Sequence, residues 1–293
     1  MLDDIYDILE KCSFTVKDVS YIGNPKSNTA VFVTKKVQNL LNNLVNVNNC
    51  LVFVENGIKC SDFIKRKHYF VYSDNPQNQY ANFANLIYKE RIKKERKKKY
   101  IYEQGYYIGE NVTIGENAYI EPGCLLGHGV SIGKNACIFA GTVIKNTIIG
   151  DNFLSNEHAV IGAAGFTMAE DINGNKFRIP TLGGVRIGNN VEIGACDNIS
   201  CGSGNDTIIE DFVKIDALVH IGHDAHIGKN VEITAGSIVG GFTGIDECSF
   251  LGINSCIRNR IDIAENSVIG MGAVVTKNVL PNMTVIGNPA VKM

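Results

Sequence analysis

From residue 209 to residue 275 an aliphatic side chain stands at every sixth position: Ile209, Ile215, Ile221, Ile227, Ile233, Val239, Ile245, Leu251, Ile257, Ile263, Ile269 and Val275. An amphipathic helix would return an apolar residue about every 3.6 positions and a half-buried strand about every 2, so neither accounts for this register. A parallel β-helix does. Each hexapeptide makes one short strand and a corner, three of them close a triangular coil, and the next coil stacks on the first. The repeated aliphatic then points into the prism and covers its equivalent in the coil below, which is how such a solenoid hides apolar surface from water.

The same register runs through Ile108, Ile114, Ile120, Leu126, Ile132, Ile138 and Ile144 and returns at Ile187, Ile193 and Ile199. Most of the chain is therefore one solenoid, expected over 104–293. Thirty glycines suit its many corners, where residues with a β-carbon adopt the required angles reluctantly. Residues 1–84 lack the period and carry apolar runs at Ala30–Val33 and Leu51–Val54, as expected of a small α/β domain. Residues 85–103, rich in Lys and Arg and free of Pro, suggest a connecting helix. Its charge reads first as a solvated face, then as a contact for an acidic partner such as an acyl carrier protein or substrate phosphates. Two stretches interrupt the repeat. Residues 163–184 are too long for a corner and should leave the prism as a loop, and 202–206 make a shorter excursion. Insertions in a solenoid tend to gather on one surface, often the one that binds.

Composition narrows the function classes. A net charge of −2 argues against nucleic acid as the main partner. No apolar run approaches the about 20 residues of a membrane span, and no apolar stretch follows a basic start, so neither a span nor a secretory signal is expected. Nine cysteines at scattered positions, without a CxxC pair, suit reduced thiols and a cytoplasmic location.

Three of the six histidines, His220, His223 and His226, lie in VHIGHDAHIG. Such crowding invites a zinc reading. In a β-helix, however, positions 220 and 226 fall on successive faces with 223 near the corner between them, so the rings should diverge, and no metal is expected. A single histidine at a corner is better placed for proton transfer, because a near-neutral imidazole can take a proton from an incoming amine or hydroxyl. His223 is that candidate. One coil above it stands Gly241, in GGFTG, where a bare backbone N–H could meet a developing oxyanion. Asp216 or the adjacent Asp224 could fix the imidazole tautomer, and the residues alone leave that choice open.

The stretches AVIGAAGFTMAEDINGNKFRIPTLGGVRIGNNVEIGA and DTIIEDFVKIDALVHIGHDAHIGKNVEITAGSIVGGFTGI resemble the insertion and the catalytic segment of the hexapeptide acyltransferases, within them the UDP-3-O-acylglucosamine N-acyltransferases of lipid A synthesis. The resemblance implies a left-handed prism, His223 as general base, Asp216 as its aspartate and Gly241 as the oxyanion-binding glycine. DVSYIGNPKSNTAVFVT is similar to the segment with which that family's first domain holds uracil, implying that Tyr21 stacks on the base and Asn24 bonds its edge. YFVYSDNPQNQYANFANLIYKE resembles the end of that domain, with Asn75 and Pro76 in the turn. Three departures stand out. Ser200, Cys201 and Gly202 replace the family's Asp-Arg-Gly, Arg260 replaces a second histidine, and the ending VIGNPAVKM resembles coenzyme-A-dependent acetyltransferases.

The expectation is a cytoplasmic acyltransferase that acylates the amine of a UDP-linked amino sugar. Its thioester co-substrate would be carried by acyl carrier protein or by coenzyme A, with no permanently bound cofactor. The resemblance also implies a homotrimer in which one subunit supplies His223 and its neighbour part of the donor groove. The rivals are an acetyl-CoA-dependent nucleotide-amino-sugar N-acetyltransferase of surface glycan synthesis and, from another class, a non-catalytic scaffold or sugar-binding protein.

Overall fold

The computed structural model describes residues 2–293, with side chains from Ile5 onward. It divides into two compact units: residues 1–97, 166–182 and 203–205 in one, and 98–165, 183–202 and 206–293 in the other.

The larger unit is the expected solenoid, a left-handed parallel β-helix with small antiparallel additions at its ends. Strands of mostly two or three residues build three sheets, one per prism face. The first face carries Val143–Ile144, Val160–Ala163, Asn198–Ser200, His220–Ile221 and Ile238–Val239. The second carries Val185–Ile187, Thr207–Ile209, His226–Ile227 and Gly244–Ile245, and the third Glu192–Ile193, Lys214–Ile215 and Glu232–Ile233. Register runs like onto like: Ile199 pairs with Ile221, Ile221 with Val239, and Val239 with Ile257. From Ile209 to Val275 the sixth-position residues are all buried in one continuous core. Each such side chain contributes about 1.5–3 kcal/mol of transfer free energy.

A second buried row lies two positions before the first, as at Val213, Val219, Ala225, Val231, Ser237, Thr243 and Ser249. Its hydroxyls are satisfied by carbonyls of neighbouring turns: Ser237 Oγ donates to Gly252 O and Thr243 Oγ1 to Arg258 O, both at 3.1 Å. Asp197 occupies this row with 1% exposure, its oxygens accepting from Gly194 N at 2.9 Å and Val219 N at 2.7 Å. Burial nevertheless raises its carboxyl from 3.8 to about 7, and the charge of Asp216 adds to the effect. The unfolded chain ionises this group near pH 4, whereas the native chain holds the proton to about 7, so folding stability falls as pH rises through that window. The full difference corresponds to about 4 kcal/mol. Urea unfolding of the protein and of Asp197→Ser should show the wild type gaining on the variant as pH falls from 7 to 4. Parallel stability curves would contradict this.

The smaller unit has a four-stranded parallel sheet of Asp18–Val19, Thr29–Val33, Leu51–Glu55 and Tyr69–Ser73. Its long helix begins earlier than the charge pattern suggests, spanning Pro76–Glu95. Asn75 caps it through a side-chain oxygen that accepts from Asn78 N, and Pro76 occupies the first turn, where its missing N–H costs nothing. Tyr80, Ala81, Phe83 and Ala84 on this helix are buried. The expected connecting helix at 85–103 is thus the second half of a domain helix, and Ile101–Glu103 is a strand paired with Tyr106–Ile108.

Residues within the expected 163–184 loop form an antiparallel hairpin, Met168–Glu170 with Lys176–Arg178. Ala169, Ile179 and Leu182 join the buried cluster of Val19, Phe53, Tyr80 and Phe83. One long helix ties the hairpin down: Asn78 Nδ2 donates to Glu170 O at 2.7 Å, Asn85 Nδ2 to Arg178 O at 3.0 Å and Arg91 Nη1 to Leu182 O at 2.7 Å. The insertion is therefore structural material of the smaller unit. Its apolar residues have their partners far away in sequence.

Candidate active site

His223 sits at the corner between the first face, at His220–Ile221, and the second, at His226–Ile227. Both excursions leave the prism at this same corner column. The longer follows Val160–Ala163 and rejoins at Val185–Ile187, and the shorter lies between Asn198–Ser200 and Thr207–Ile209. Their roots are bonded together, Gly183 N to Gly202 O at 3.0 Å and Thr207 N to Gly184 O at 3.0 Å.

The imidazole is largely buried, its side chain 15% exposed, and Nδ1 lies 2.8 Å from Oδ2 of Asp224, whose side chain is 4% exposed. A carboxylate there accepts a hydrogen bond from Nδ1–H and so fixes the tautomer with a lone pair on Nε2. Of the two aspartates, Asp224 is the one the ring meets. Asp216, preferred through the resemblance, is exposed and its Oδ1 accepts from Ala217 N at 2.8 Å. Asp216 follows Lys214–Ile215 on the third face and so stands at a different corner, whereas Asp224 shares the His223 corner, in its left-handed position at φ 58°. Its own N–H donates to Thr207 Oγ1 at 2.9 Å, which anchors the residue on the coil below.

Gly241 lies directly against the ring. A β-carbon on it would stand 2.9 Å from Nε2 and 3.0 Å from Cε1, closer than carbon atoms normally approach. Among the described residues no acceptor takes the Gly241 N–H, while its carbonyl accepts from Arg260 N at 3.1 Å. An unengaged amide recurs at this place in other corners; what distinguishes 241 is the missing side chain beside an imidazole. Phe242 packs edge-on to His223 with centroids 5.1 Å apart, and the Arg260 guanidinium lies 4.1 Å from the Phe242 ring centre, a cation–π contact. Phe242 and Arg260 hold φ near 60°, where the same corner column lower in the prism uses Asn111 and Gly129. Bulky residues in that conformation cost about 1–3 kcal/mol each and concentrate at functional sites. Phe212 and Leu218 hold the same angle at other corners, so the corner pattern in the sequence does not by itself single this column out.

The other two histidines point elsewhere. His220 lies in the first-face ladder between Asn198 and Ile238, and burial and the neighbouring His223 lower its pKa. His226, on the second face, places Nε2 2.7 Å from Glu210 Oε1. Among the described residues no three metal-ligating side chains converge. A groove of about 480 Å3 runs along the second face, beside Ile148, Arg186, Glu210 and Lys229, and His223 is not among its lining residues.

In the smaller unit Tyr21 and Asn24 close one tight turn, Asn24 N donating to Tyr21 O at 3.0 Å. Asn43 Nδ2 pins the turn through the carbonyls of Ile22 and Gly23, and Asn205 Nδ2 donates to Asn24 O at 2.9 Å. The Tyr21 ring is half-buried over Gly23 and the Asn24 residue is exposed.

The family model for the bacterial transferase hexapeptide repeat matches residues 105–140 and 206–241, and a model for the hexapeptide repeat of succinyl-transferase matches 243–277. These stretches carry the hexapeptide repeat of bacterial transferases. This hexapeptide-repeat chain is 36% identical over 150 residues to a Legionella pneumophila protein named UDP-3-O-acylglucosamine N-acyltransferase 2, covering 51% of this chain and 43% of that protein. A Coxiella burnetii protein named UDP-3-O-acylglucosamine N-acyltransferase is 38% identical over 134 residues, covering 45% and 39%. The match thus spans half or less of those relatives' length. Among solved structures, a Francisella novicida UDP-N-acetylglucosamine acyltransferase superposes with a TM-score of 0.59 at 27% identity, over 65% of this chain and 68% of that one. A Campylobacter jejuni UDP-N-acetylglucosamine acyltransferase gives 0.59 at 23% identity over 65% and 73%, a likeness of fold.

Proposed function

We propose that this protein transfers an acyl group from a thioester donor to the amine of a UDP-linked amino sugar. The observation that carries the proposal is the placement of His223 Nε2 against the bare backbone of Gly241, with Nδ1 held by Asp224. The sugar nitrogen attacks the thioester carbonyl while Nε2 accepts its proton. The Gly241 N–H donates to the oxyanion that forms. Collapse restores the carbonyl, breaks the C–S bond and releases the thiol, protonated from His223. Names of the similar proteins support an amino-sugar nucleotide as acceptor.

Tyr21 stacks on uracil and Asn24 bonds its edge, supported by the pinned turn that holds a half-buried aromatic ring beside an exposed amide. A homotrimer is supported by the outward row of the first face, where Leu125, Val143, Val160, Ile238 and Val274 leave apolar surface that a second copy would cover. Nine thiols, without a disulfide among the described residues, suit a reducing compartment such as the cytoplasm. Among those residues no helix is long and apolar enough to cross a membrane.

Incubation with UDP-amino sugars and either hydroxyacyl-acyl carrier protein or acetyl-CoA tests the proposal and separates the donors. Amide formation from the carrier-protein thioester is expected for a lipid A-type enzyme, and from acetyl-CoA for a glycan N-acetyltransferase. If neither thioester is consumed, the proposal fails.

A further inference from the structure

Gly241 is not the only glycine against the imidazole. A β-carbon on Gly165 would stand 2.7 Å from His223 Cβ and 2.9 Å from both Cγ and Cδ2, and all three nearest atoms belong to that one side chain. Ordinary carbon–carbon contact needs about 3.5–4.0 Å. Gly165 is not among the glycines in the left-handed region, so its backbone angles would accept an L-residue. The histidine side chain, β-carbon and ring together, is therefore what excludes a side chain at 165.

We infer that Gly165 is a positioning residue whose bare backbone forms one wall of the slot that aims the His223 imidazole at Gly241; the inference rests on His223 being the base. Each edge of the ring then has its own restraint. Asp224 holds Nδ1, Phe242 stands edge-on, Gly241 faces Nε2 and Cε1, and Gly165 closes on Cγ and Cδ2. A glycine on either side lets two stretches of backbone come within contact distance of one imidazole, and backbone moves less than a side chain would. Gly165 is also the last residue of the larger unit before the chain departs into the hairpin. The chain leaves the prism at a point where it touches the proposed base.

Alanine at 165 must push the ring aside by most of an ångström, and a displacement of about 1 Å at a reacting group costs about 10²-fold in rate. Gly165→Ala in the full-length protein is therefore expected to lower kcat by about 10²-fold with a much smaller change in KM, and to lower Tm. The deciding measurement is the same substitution in a His223→Gly background, because alanine at 223 would keep the β-carbon that lies nearest. With the whole side chain gone the methyl has room, so the Tm loss should vanish relative to His223→Gly and the residual activity should match that of His223→Gly alone. A Gly165→Ala enzyme that keeps kcat within about twofold overturns the inference. So does a Tm loss that persists undiminished in the His223→Gly background. If the single variant does not fold, folding of the double variant supports the contact and its failure to fold overturns it. A fully active His223→Ala enzyme would remove the base and the inference with it. The Tm comparison would still report the contact, so the two failures are distinguishable.

Discussion

Replacing His223 with alanine is expected to lower kcat by about 10²–10⁴-fold, the contribution of a positioned general base, while the prism stays folded. The fold survives because His223 lies in a corner outside the aliphatic core, which runs through Ile221 and Ile227 on either side of it. Sugar binding should survive too, because the proposed uracil contacts are Tyr21 and Asn24, so KM for the nucleotide sugar should change far less than kcat. Steady-state kinetics with circular dichroism decides the matter. An unchanged kcat would remove the proposed base, whereas loss of all transfer with the fold intact would dispose of the scaffold alternative.

The second large effect is expected at Gly241. A valine there would put its β-carbon 2.9 Å from Nε2 and 3.0 Å from the carbonyl oxygen of His223, the oxygen that accepts from Phe242 N at 2.9 Å. The ring must turn away and the branched side chain would cover the amide proposed to meet the oxyanion. Losing such a donor costs about 10²–10³-fold in kcat. Like Gly165→Ala, this variant should remain damaging in single-turnover assays at saturating donor, and more so, because access to the amide is lost as well as aim. A Gly241→Val enzyme with wild-type turnover would show that the carbonyl does not lie in this corner.

The two glycines differ sharply in how visible they were. Gly241 stands one coil above His223, so the period alone brought the two together. Gly165 lies in the stretch where the period stops, and nothing in its neighbours AAGFT points to position 223. The choice between Asp216 and Asp224 is one of corners. Asp216 follows Lys214–Ile215 on the third face, whereas Asp224 follows His220–Ile221 on the first, as His223 does, so the period applied to both residues separates them. The long helix was misjudged because its charges lie in its second half, whereas its start is set by Asn75 and Pro76 and its first half is held by packing.

Periodicity by itself determined the prism, its three faces, the divergence of the three histidines and the stacking of Gly241 on His223. In a solenoid every coil touches only its neighbours, so one repeat length specifies almost all contacts. Tertiary structure alone decided where the hairpin went and that Gly165 closes on the ring. Those outcomes depend on contacts between segments unrelated by the repeat, where shape and burial choose among partners that composition leaves equivalent.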